Sequence, residues 1–288
     1  MTATHDKERD EIRELARKVA EIAAGEDNRR IIRRWRDVNA LRKPDRAPVW
    51  CRPVGCWPEL LGEDELLCQD AWRRGIERAF RQILVKHDIG DDSPVDDFFA
   101  VSAVFDVDPP NRWGVEVRRH GAPQAGGAWA YDPPLKTPAD FDRLRIATYT
   151  YNQGKTQEHL DRADELLGDI LPARRVCSPP GTATLCTAAA ELRGLTQIMM
   201  DAIDAPELLH RLMAFLRDAV LSAMDQVAAT GLLTPNNAEP MWCSDPIGRP
   251  EPDGRITCGN LWVHANSQEF DAVSPRMWEE FLLAYQMP

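Results

Sequence analysis

The last stretch of the chain, residues 260–288, constrains the fold more than any other. Its apolar residues 261–265 are typical of a short buried strand, and a polar loop follows them. Ser274 can cap a helix whose first position suits Pro275, because that position needs no amide hydrogen. Apolar residues then recur at helical spacing: Met277, Trp278, Phe281, Leu282 and Tyr285. We therefore predict a strand–loop–helix unit, and barrel enzymes place their chemistry at the strand ends of such units.

The same alternation of strand and helix recurs along the chain. Besides 261–265, apolar patterns predict strands at 47–52, 98–105, 174–178 and 232–236. Helices are predicted between them at 63–86, 156–170 and 185–203, and a further helix to residue 230 is predicted to be capped by Asp204, with Glu207 completing a capping box. This alternation predicts an α/β fold with a parallel sheet, either closed into a barrel or left open and doubly wound.

Two segments stand outside this alternation. Residues 7–24 and 28–40 predict two N-terminal helices, and alternating residues within 106–131 predict a β-hairpin insert. The second helix carries a cluster of arginines: Arg29, Arg30, Arg33, Arg34 and Arg36. We interpret this cluster as a solvent-exposed helix face paired with nearby acids rather than a phosphate-binding surface.

Charge and composition argue against several classes of protein. The 288 residues carry a net charge of −11, and phosphate contacts need a basic face, so nucleic-acid binding is not expected. The chain has no apolar run of the roughly 18 residues that a membrane-spanning helix needs. The charged N-terminus also lacks the apolar core of a signal peptide. We therefore expect a cytoplasmic protein without membrane partners, and its seven cysteines, an odd number, are expected to be free thiols.

Four segments of the chain carry a resemblance to a known family. They read LRKPDRAPVW, YNQGKTQEHLDRADELLGDILPARR, LRGLTQIMMDAIDAPELLHRLMAFLRDA and SQEFDAVSPRMWEEFLLAYQMP. Their order and spacing, rather than any single motif, resemble the uroporphyrinogen decarboxylase superfamily, which also contains cobalamin-dependent methyltransferases. The chain looks most like the bacterial decarboxylase-like branch. The resemblance implies a TIM (β/α)8 barrel of the uroporphyrinogen decarboxylase type over residues 41–288, interrupted by the hairpin near 106–131 and preceded by a helical extension at 1–40.

The number of predicted strands is smaller than such a barrel contains. Five strands are found where eight are expected, so we expect a C-terminally incomplete barrel, truncated after about five strands. An open barrel exposes strand edges, which readily pair with other chains. A homo-oligomer or a complementary chain is therefore an expected partner.

The resemblance also implies a carboxylate-binding arginine. The decarboxylase's first strand is followed by two arginines that hold substrate carboxylates, since the planar guanidinium can form two parallel hydrogen bonds with a carboxylate. Here the segment reads PVWCRPVGCW: Arg52 matches the first arginine, and Cys56 stands in place of the second. The family's Phe-Ser-Asp motif has no evident counterpart, and Asp106 and Asp108 lack its context. The complete set of tetrapyrrole-binding residues of the decarboxylase is therefore not expected in this chain.

Polar residues at the predicted strand ends complete the predicted site. Arg52 and His264 are the predicted catalytic residues, His264 as a proton donor or substrate contact. Substrate contacts are predicted for Trp50, Asn237, Ser267 and Glu269. Structural alternatives stay open for four of these: a surface arginine, a hydrogen-bonded histidine, a turn-forming asparagine and a glutamate that supports the following helix.

Two enzyme activities and one non-enzymatic role follow from the resemblance. For a full-length relative it implies methyl transfer between a methylated small molecule or a corrinoid protein and a thiol, with zinc presenting the thiolate. The relatives' zinc ligands, a His-Xaa-Cys pair and a later Cys, have no counterpart in this sequence, so no cofactor is expected in this chain. The first alternative is uroporphyrinogen decarboxylation, a cofactor-free proton transfer at a pyrrole. The second is an inactive fragment that acts as a scaffold or half-barrel partner.

Overall fold

The computed structural model describes residues 2–121, 129–180, 183–237 and 250–287, which form a mixed α/β structure with long helices and short strands. The helices are α1 (Thr2–Ala24), α2 (Glu26–Asn39), α3 (Trp57–Leu60), α4 (Ala71–Ile89), α5 (Gln153–Leu167), α6 (Leu185–Arg193), α7 (Leu195–Asp204), α8 (Pro206–Ala228), α9 (Pro275–Trp278) and α10 (Ala284–Gln286). A π-helical turn, Glu279–Leu283, joins the last two helices. The strands are β1 (Phe99–Ser102), β2 (Phe105–Asp108), β3 (Arg118–Gly121), β4 (Trp129–Asp132), β5 (Thr148–Tyr151) and β6 (Ala173–Val176).

The N-terminal helices lie where the apolar spacing predicts them. α1 buries Ile12, Leu15 and Val19 in a cluster that it shares with α4 and α5. Arg13 fastens α1 to the end of α5, because its guanidinium donates to both carboxylate oxygens of Asp169, at 2.7 and 2.5 Å. Both predicted N-terminal helices are therefore confirmed, with the first one beginning earlier than predicted, at residue 2.

α4 begins later than its apolar pattern predicts. Its cap is Asp70, whose Oδ1 accepts a hydrogen bond from the helix backbone. Upstream, the buried carboxylate of Glu77 accepts from Leu67 N at 2.9 Å and from Cys68 N at 2.8 Å. These two bonds satisfy the backbone donors of an extended segment, so the predicted start at residue 63 is wrong and only a separate 3-10 turn forms there.

The strands of the described residues form three two-stranded sheets and no closed barrel. β1 pairs in parallel with β6, from Phe99 opposite Ala173 to Ser102 opposite Val176. α5 lies between these strands in the chain and contacts both. β2 pairs antiparallel with β5, and β3 pairs antiparallel with β4. The predicted α/β class is confirmed at this level.

The hairpin predicted within 106–131 is confirmed at its centre. β3 and β4 pair from Arg118 opposite Asp132 to Gly121 opposite Trp129. The tip of the predicted hairpin, 122–128, lies outside the described residues. The start of the predicted range belongs instead to β2, whose pairing with β5 the spacing of residues did not predict.

Three predicted strands are extended segments rather than regular strands, so these predictions are wrong for 47–52, 232–236 and 261–265. Pro48 and Pro235 lack the amide hydrogen that a strand ladder requires. Between the last two segments a side chain replaces the ladder. The amide of Asn236 donates to Trp262 O at 2.7 Å and accepts from Trp262 N at 2.9 Å.

The helix predicted at 185–203 is divided in two by Gly194. This glycine has φ +92°, and a Cβ at its position would lie 3.2 Å from the ring of Pro133. The next helix also differs from its prediction, because Asp204 ends α7 and makes no capping bond to α8. α8 starts instead with Pro206 at its first position, where proline's missing amide hydrogen has no cost.

The C-terminal segment packs as its apolar spacing predicts. Ser274 Oγ accepts from Met277 N at 3.3 Å and caps α9. Phe281 and Leu282 are buried in the largest apolar cluster of the described residues, together with side chains of α6, α7 and α8. Within the described ranges, none of the helices has the length and apolar character needed to cross a membrane.

The arginine cluster on α2 is a solvent-exposed face with one exception. Arg29 and Arg33 pair with Glu26, and Arg30 pairs with an acid one turn earlier, all at exposed positions. The Arg34 side chain is only 3% exposed. Its prediction as a solvated residue is wrong, because α2 turns this one arginine toward the interior.

Replacing Leu212 with alanine is expected to lower the free energy of unfolding by about 2–5 kcal/mol, because its fully buried side chain would leave a cavity beside α8. Urea unfolding followed by circular dichroism measures the change. Leu221→Ala on the same helix is the matched control: Leu221 is 42% exposed, and its truncation should cost about 1 kcal/mol or less. Equal losses in the two variants would contradict this packing of α8.

Candidate functional site

A small cavity of about 310 Å³ lies at the carboxyl ends of the parallel strands β1 and β6. Its lining consists of Ser102, Ala103, Phe105, Val107, Tyr149, Val176, Cys177, Ser178, Pro180 and Val227. The carboxyl ends of parallel strands are where α/β proteins bind their ligands. We therefore take this cavity and the loops around it as the candidate functional site.

The cavity is mostly apolar and carries a few polar groups. Ser102 and Ser178 are exposed, and Tyr149 is half-buried. Cys177 is buried, and burial raises the pKa of its thiol. An apolar pocket with a few hydroxyls is suited to orienting a small organic molecule, whereas the protonated thiol of Cys177 is not suited to nucleophilic attack.

The segment at 232–236 bonds to Cys177 at the end of β6, and the segment at 261–265 bonds to Asn236. Thr234 N donates to Cys177 O at 2.9 Å, and Cys177 N donates to Thr234 Oγ1 at 2.9 Å. The amide exchange between Asn236 and Trp262 brings the second segment beside the first. Both segments thus follow β6 in space in the order in which they follow it in the chain.

The loop at 264–269 is fastened to two helices. The Cys186 thiol on α6 donates to Asn266 O at 3.2 Å and lies 3.3 Å from Asn266 Oδ1. Gln286 Nε2 donates to Asn266 O at 2.9 Å and to Ala183 O at 2.7 Å. Ala183 N in turn donates to His264 O at 2.9 Å. The backbone of this loop is therefore held in place before any ligand binds.

Glu269 lies on the inner side of this loop. Its Oε2 is buried and has no hydrogen-bond partner among the described residues. Burial, reinforced by the Glu269 carboxylate, raises the pKa of the Cys186 thiol to about 12. Cys186 therefore stays protonated at neutral pH and acts as a hydrogen-bond donor to the loop.

Four of the six predicted site residues share this region. The His264 side chain is exposed, and Asn237 is half-buried directly after Asn236. Ser267 is half-buried, and its carbonyl oxygen accepts from Phe270 N at 2.9 Å at the start of a 3-10 turn. With Glu269, these residues occupy the two loops that border the cavity strands.

The other two predicted residues, Trp50 and Arg52, lie together on a different segment. The exposed Arg52 guanidinium lies 5.4 Å from the centre of the Trp50 ring, and Lys86 Nζ lies 5.4 Å from the same ring. Asp91 fixes this segment, because its Oδ2 accepts from Cys51 N at 3.0 Å. The six residues thus fall into two groups with different neighbours.

A buried acid anchors the segment that carries Trp50 and Arg52. The Asp92 side chain is 1% exposed and pairs with the buried Arg34. It also accepts from Arg46 at 2.6 Å and from Val49 N at 2.7 Å. Arg34 forms a second, two-pronged pair with Asp45 at 2.7 and 2.6 Å. Every charge in this network has an opposite charge within hydrogen-bond distance.

Sequence reasoning missed Asp92, Arg34 and Cys186. A signal existed for the first pair, since two adjacent aspartates follow α4 and an arginine cluster precedes the segment that they anchor. No local pattern indicates Cys186, because its partner Asn266 lies 80 residues away in the chain.

In comparisons with known proteins, no protein-family model, curated protein or solved structure matches the chain.

Asp92→Asn is expected to destabilise the protein by about 3–5 kcal/mol, because it leaves the buried Arg34 charge without its full partner. Urea unfolding at pH 7 measures the loss. Asp218→Asn is the control, since Asp218 is 50% exposed in a surface ion pair that should contribute about 1 kcal/mol or less.

The pH dependence of this loss provides a second readout. Burial alone raises the pKa of Asp92, but hydrogen bonds from Arg46 and Val49 N and the charge of Arg34 hold it below its ordinary value. The carboxylate therefore contributes stability above the unfolded-state pKa of about 3.9, and that contribution is lost as the pH falls through the folded-state pKa. The difference between wild type and variant should be constant near neutral pH and shrink below about pH 4. A difference that grows on acidification would contradict the ion pair.

The thiols should differ in reactivity according to their burial. Iodoacetamide at pH 8 is expected to modify the exposed Cys56 and to spare Cys68 and Cys186, because burial raises the pKa of both thiols to about 12. Mass mapping of peptides before and after unfolding in urea identifies the modified positions. Labelling of Cys186 in the native protein at the rate seen for Cys56 would contradict the site geometry.

Proposed function

We propose that this chain forms the substrate-binding part of a uroporphyrinogen decarboxylase-like barrel enzyme, and that the activity of the whole enzyme is methyl transfer from a methylated small molecule or corrinoid protein to a thiol. The observation that carries the proposal is the cavity at the carboxyl ends of β1 and β6, where Thr234 of the following segment bonds to Cys177. Parallel-strand enzymes bind their substrates at such an edge.

The order of neighbours supports the barrel interpretation. β1 pairs with β6, the segment at 232–236 bonds to Cys177 directly after β6, and the segment at 261–265 bonds to Asn236. Consecutive strands of a (β/α)8 barrel are spatial neighbours in this way, each after a covering helix. Val49, in the first predicted strand, bonds to Asp92 N shortly before β1. These contacts link four consecutive predicted strands, from 98–105 to 261–265, in the order that the barrel interpretation expects.

The polar groups at this edge define roles for the chain's own residues. The hydroxyls of Ser102 and Tyr149 can hydrogen-bond a small polar substrate, while the apolar lining excludes water from its other faces. His264, predicted as a proton donor or substrate contact, has an exposed ring on a loop with a fixed backbone. Ser267 and Glu269 supply further acceptors on the same loop.

The described residues do not fit the zinc centre of the methyltransferase relatives. They contain no group of three or more His, Cys, Asp or Glu side chains that could hold a metal ion. Burial raises the pKa of the Cys177 and Cys186 thiols, which makes both poor sources of a thiolate ligand. Zinc therefore has no role in this proposal. The role proposed for this chain is to bind and orient the substrate.

A second candidate activity, decarboxylation of an acidic substrate, is favoured by Arg52. Its guanidinium is exposed and stacks on Trp50, on a segment that Asp91 anchors. Such a guanidinium is suited to holding a planar carboxylate through two hydrogen bonds. In that reaction Arg52 would bind a substrate carboxylate.

Ligand binding to a cavity variant tests the proposal. Equilibrium dialysis with trimethylamine, a methylated compound small enough for the cavity, is expected to show binding by the wild-type protein. Ser102→Tyr should weaken that binding at least tenfold, because the new ring occupies much of the 310 Å³ cavity. Thr150→Tyr is the control, since Thr150 is exposed on β5 and does not line the cavity.

The outcomes separate the candidates. Binding of trimethylamine that Ser102→Tyr abolishes supports methyl transfer, and binding of uroporphyrinogen that Arg52→Gln weakens supports decarboxylation. Binding that Ser102→Tyr leaves unchanged would place the ligand elsewhere. Failure to bind either ligand would overturn both enzymatic proposals and leave the scaffold interpretation.

A further inference from the structure

The turn between β2 and β3 holds an arginine in an uncommon backbone conformation. Arg112 has φ +67°, in the left-handed region that residues other than glycine seldom adopt. Gly114, two residues later, has φ +81°, and a Cβ there would lie 2.7 Å from Arg143 O. Close packing against the 143–145 segment therefore fixes the turn that presents Arg112.

The Arg112 side chain has no acceptor within the described part of the chain. Its Nε is buried and unpaired, and the described residues form no hydrogen bond or ion pair with its other nitrogens. The guanidinium carbon lies 5.0 Å from the centre of the buried Trp113 ring, so one face of the group is covered. A buried donor without a partner is rare in folded proteins and indicates a missing water or anion.

Three consecutive backbone donors of the turn are already used. Arg112 N donates to Pro109 O at 2.9 Å, and Trp113 N donates to Asn111 O at 2.8 Å. Gly114 N donates to Asn111 Oδ1 at 2.9 Å. An anion at this turn would therefore be bound by the guanidinium and not by a cradle of amide hydrogens.

A second unpaired cation lies next to the turn. Arg145 N donates to Trp113 O at 2.9 Å, and its exposed side chain forms no ion pair among the described residues. Two neighbouring acids are engaged elsewhere: Glu116 pairs with Arg118 at 3.5 Å and Asp142 with Arg211 at 2.7 Å. Arg112 and Arg145 thus place two cations without an ion pair among the described residues at this corner.

We propose that Arg112, with Arg145 beside it, binds a small carboxylate ligand at the turn between β2 and β3. A carboxylate matches the guanidinium in planarity and accepts two parallel hydrogen bonds at its edge, while Trp113 covers one face of the guanidinium. Arg145 adds a second positive charge that favours a dicarboxylate over a monocarboxylate. None of these residues lines the cavity of Ser102, so this site is independent of the function proposed above.

Titration with succinate at low ionic strength, followed by calorimetry, tests the site. Wild-type protein should bind succinate more tightly than acetate. Arg112→Gln should raise the dissociation constant by about tenfold or more, the loss of a charge-assisted contact. Arg112→Lys keeps the charge but loses the planar guanidinium, so its dissociation constant should lie between those of the wild type and Arg112→Gln. Arg145→Gln should raise the constant by a smaller factor.

Matched controls give each outcome a meaning. Arg36→Gln removes the same charge from an exposed position on α2 and should leave succinate binding unchanged, as should Ser102→Tyr. Far-UV circular dichroism and an unchanged Tm establish that each variant is folded. The proposal is overturned if wild-type protein does not bind succinate, if Arg112→Gln binds it as wild type does, or if Arg36→Gln loses as much. Preference for inorganic phosphate over succinate would overturn the carboxylate assignment.

Discussion

The buried pair of Arg34 and Asp92 is the interaction on which the N-terminal half of the structure depends. Removing two charges from water costs several kcal/mol per ion, and the pair is tolerated only because other groups complete its hydrogen bonds. Arg34 Nε donates a hydrogen bond to Asp45 Oδ1, and Val49 N donates to Asp92 Oδ2. One network therefore positions α2, the loop after α4 and the segment that leads to Arg52. Carboxylates of Asp91 and Asp92 hold that segment, whereas a regular strand is held by backbone hydrogen bonds to the neighbouring strand.

Apolar periodicity predicts most of the helices because burial of one face governs both the sequence pattern and the packing. It fails at helix ends, where the decision is local. Aspartate is a residue type that often caps helices, yet α8 begins at Pro206 and Asp204 is the last residue of α7. Glu77 likewise holds Leu67 and Cys68 extended within a stretch whose pattern is helical.

The candidate site could be predicted in part for a related reason. The polar loop from His264 to Glu269 follows an apolar segment that bonds to Asn236, and the sequence pattern predicts this succession of apolar segment and polar loop. Its attachment to Cys186 joins residues 80 apart in the chain, and the pair of Arg34 and Asp92 joins residues 58 apart. Such contacts follow from the tertiary arrangement and leave no periodic trace. Arg112 is a further case, since its missing partner is visible only when all of its neighbours are in place.

Gly194 has a consequence for how the largest apolar cluster tolerates changes in chain length. This single residue ends α6 and begins α7, so the two helices have no linker between them. One inserted residue would turn α7 about its axis by about 100° relative to α6. Ile198 and Asp201, both buried now, would rotate away from α8 and from Arg193. The junction at Gly194 therefore fixes the rotation of α7 relative to α6. An insertion or deletion here should be tolerated as poorly as a substitution of the buried residues on α7.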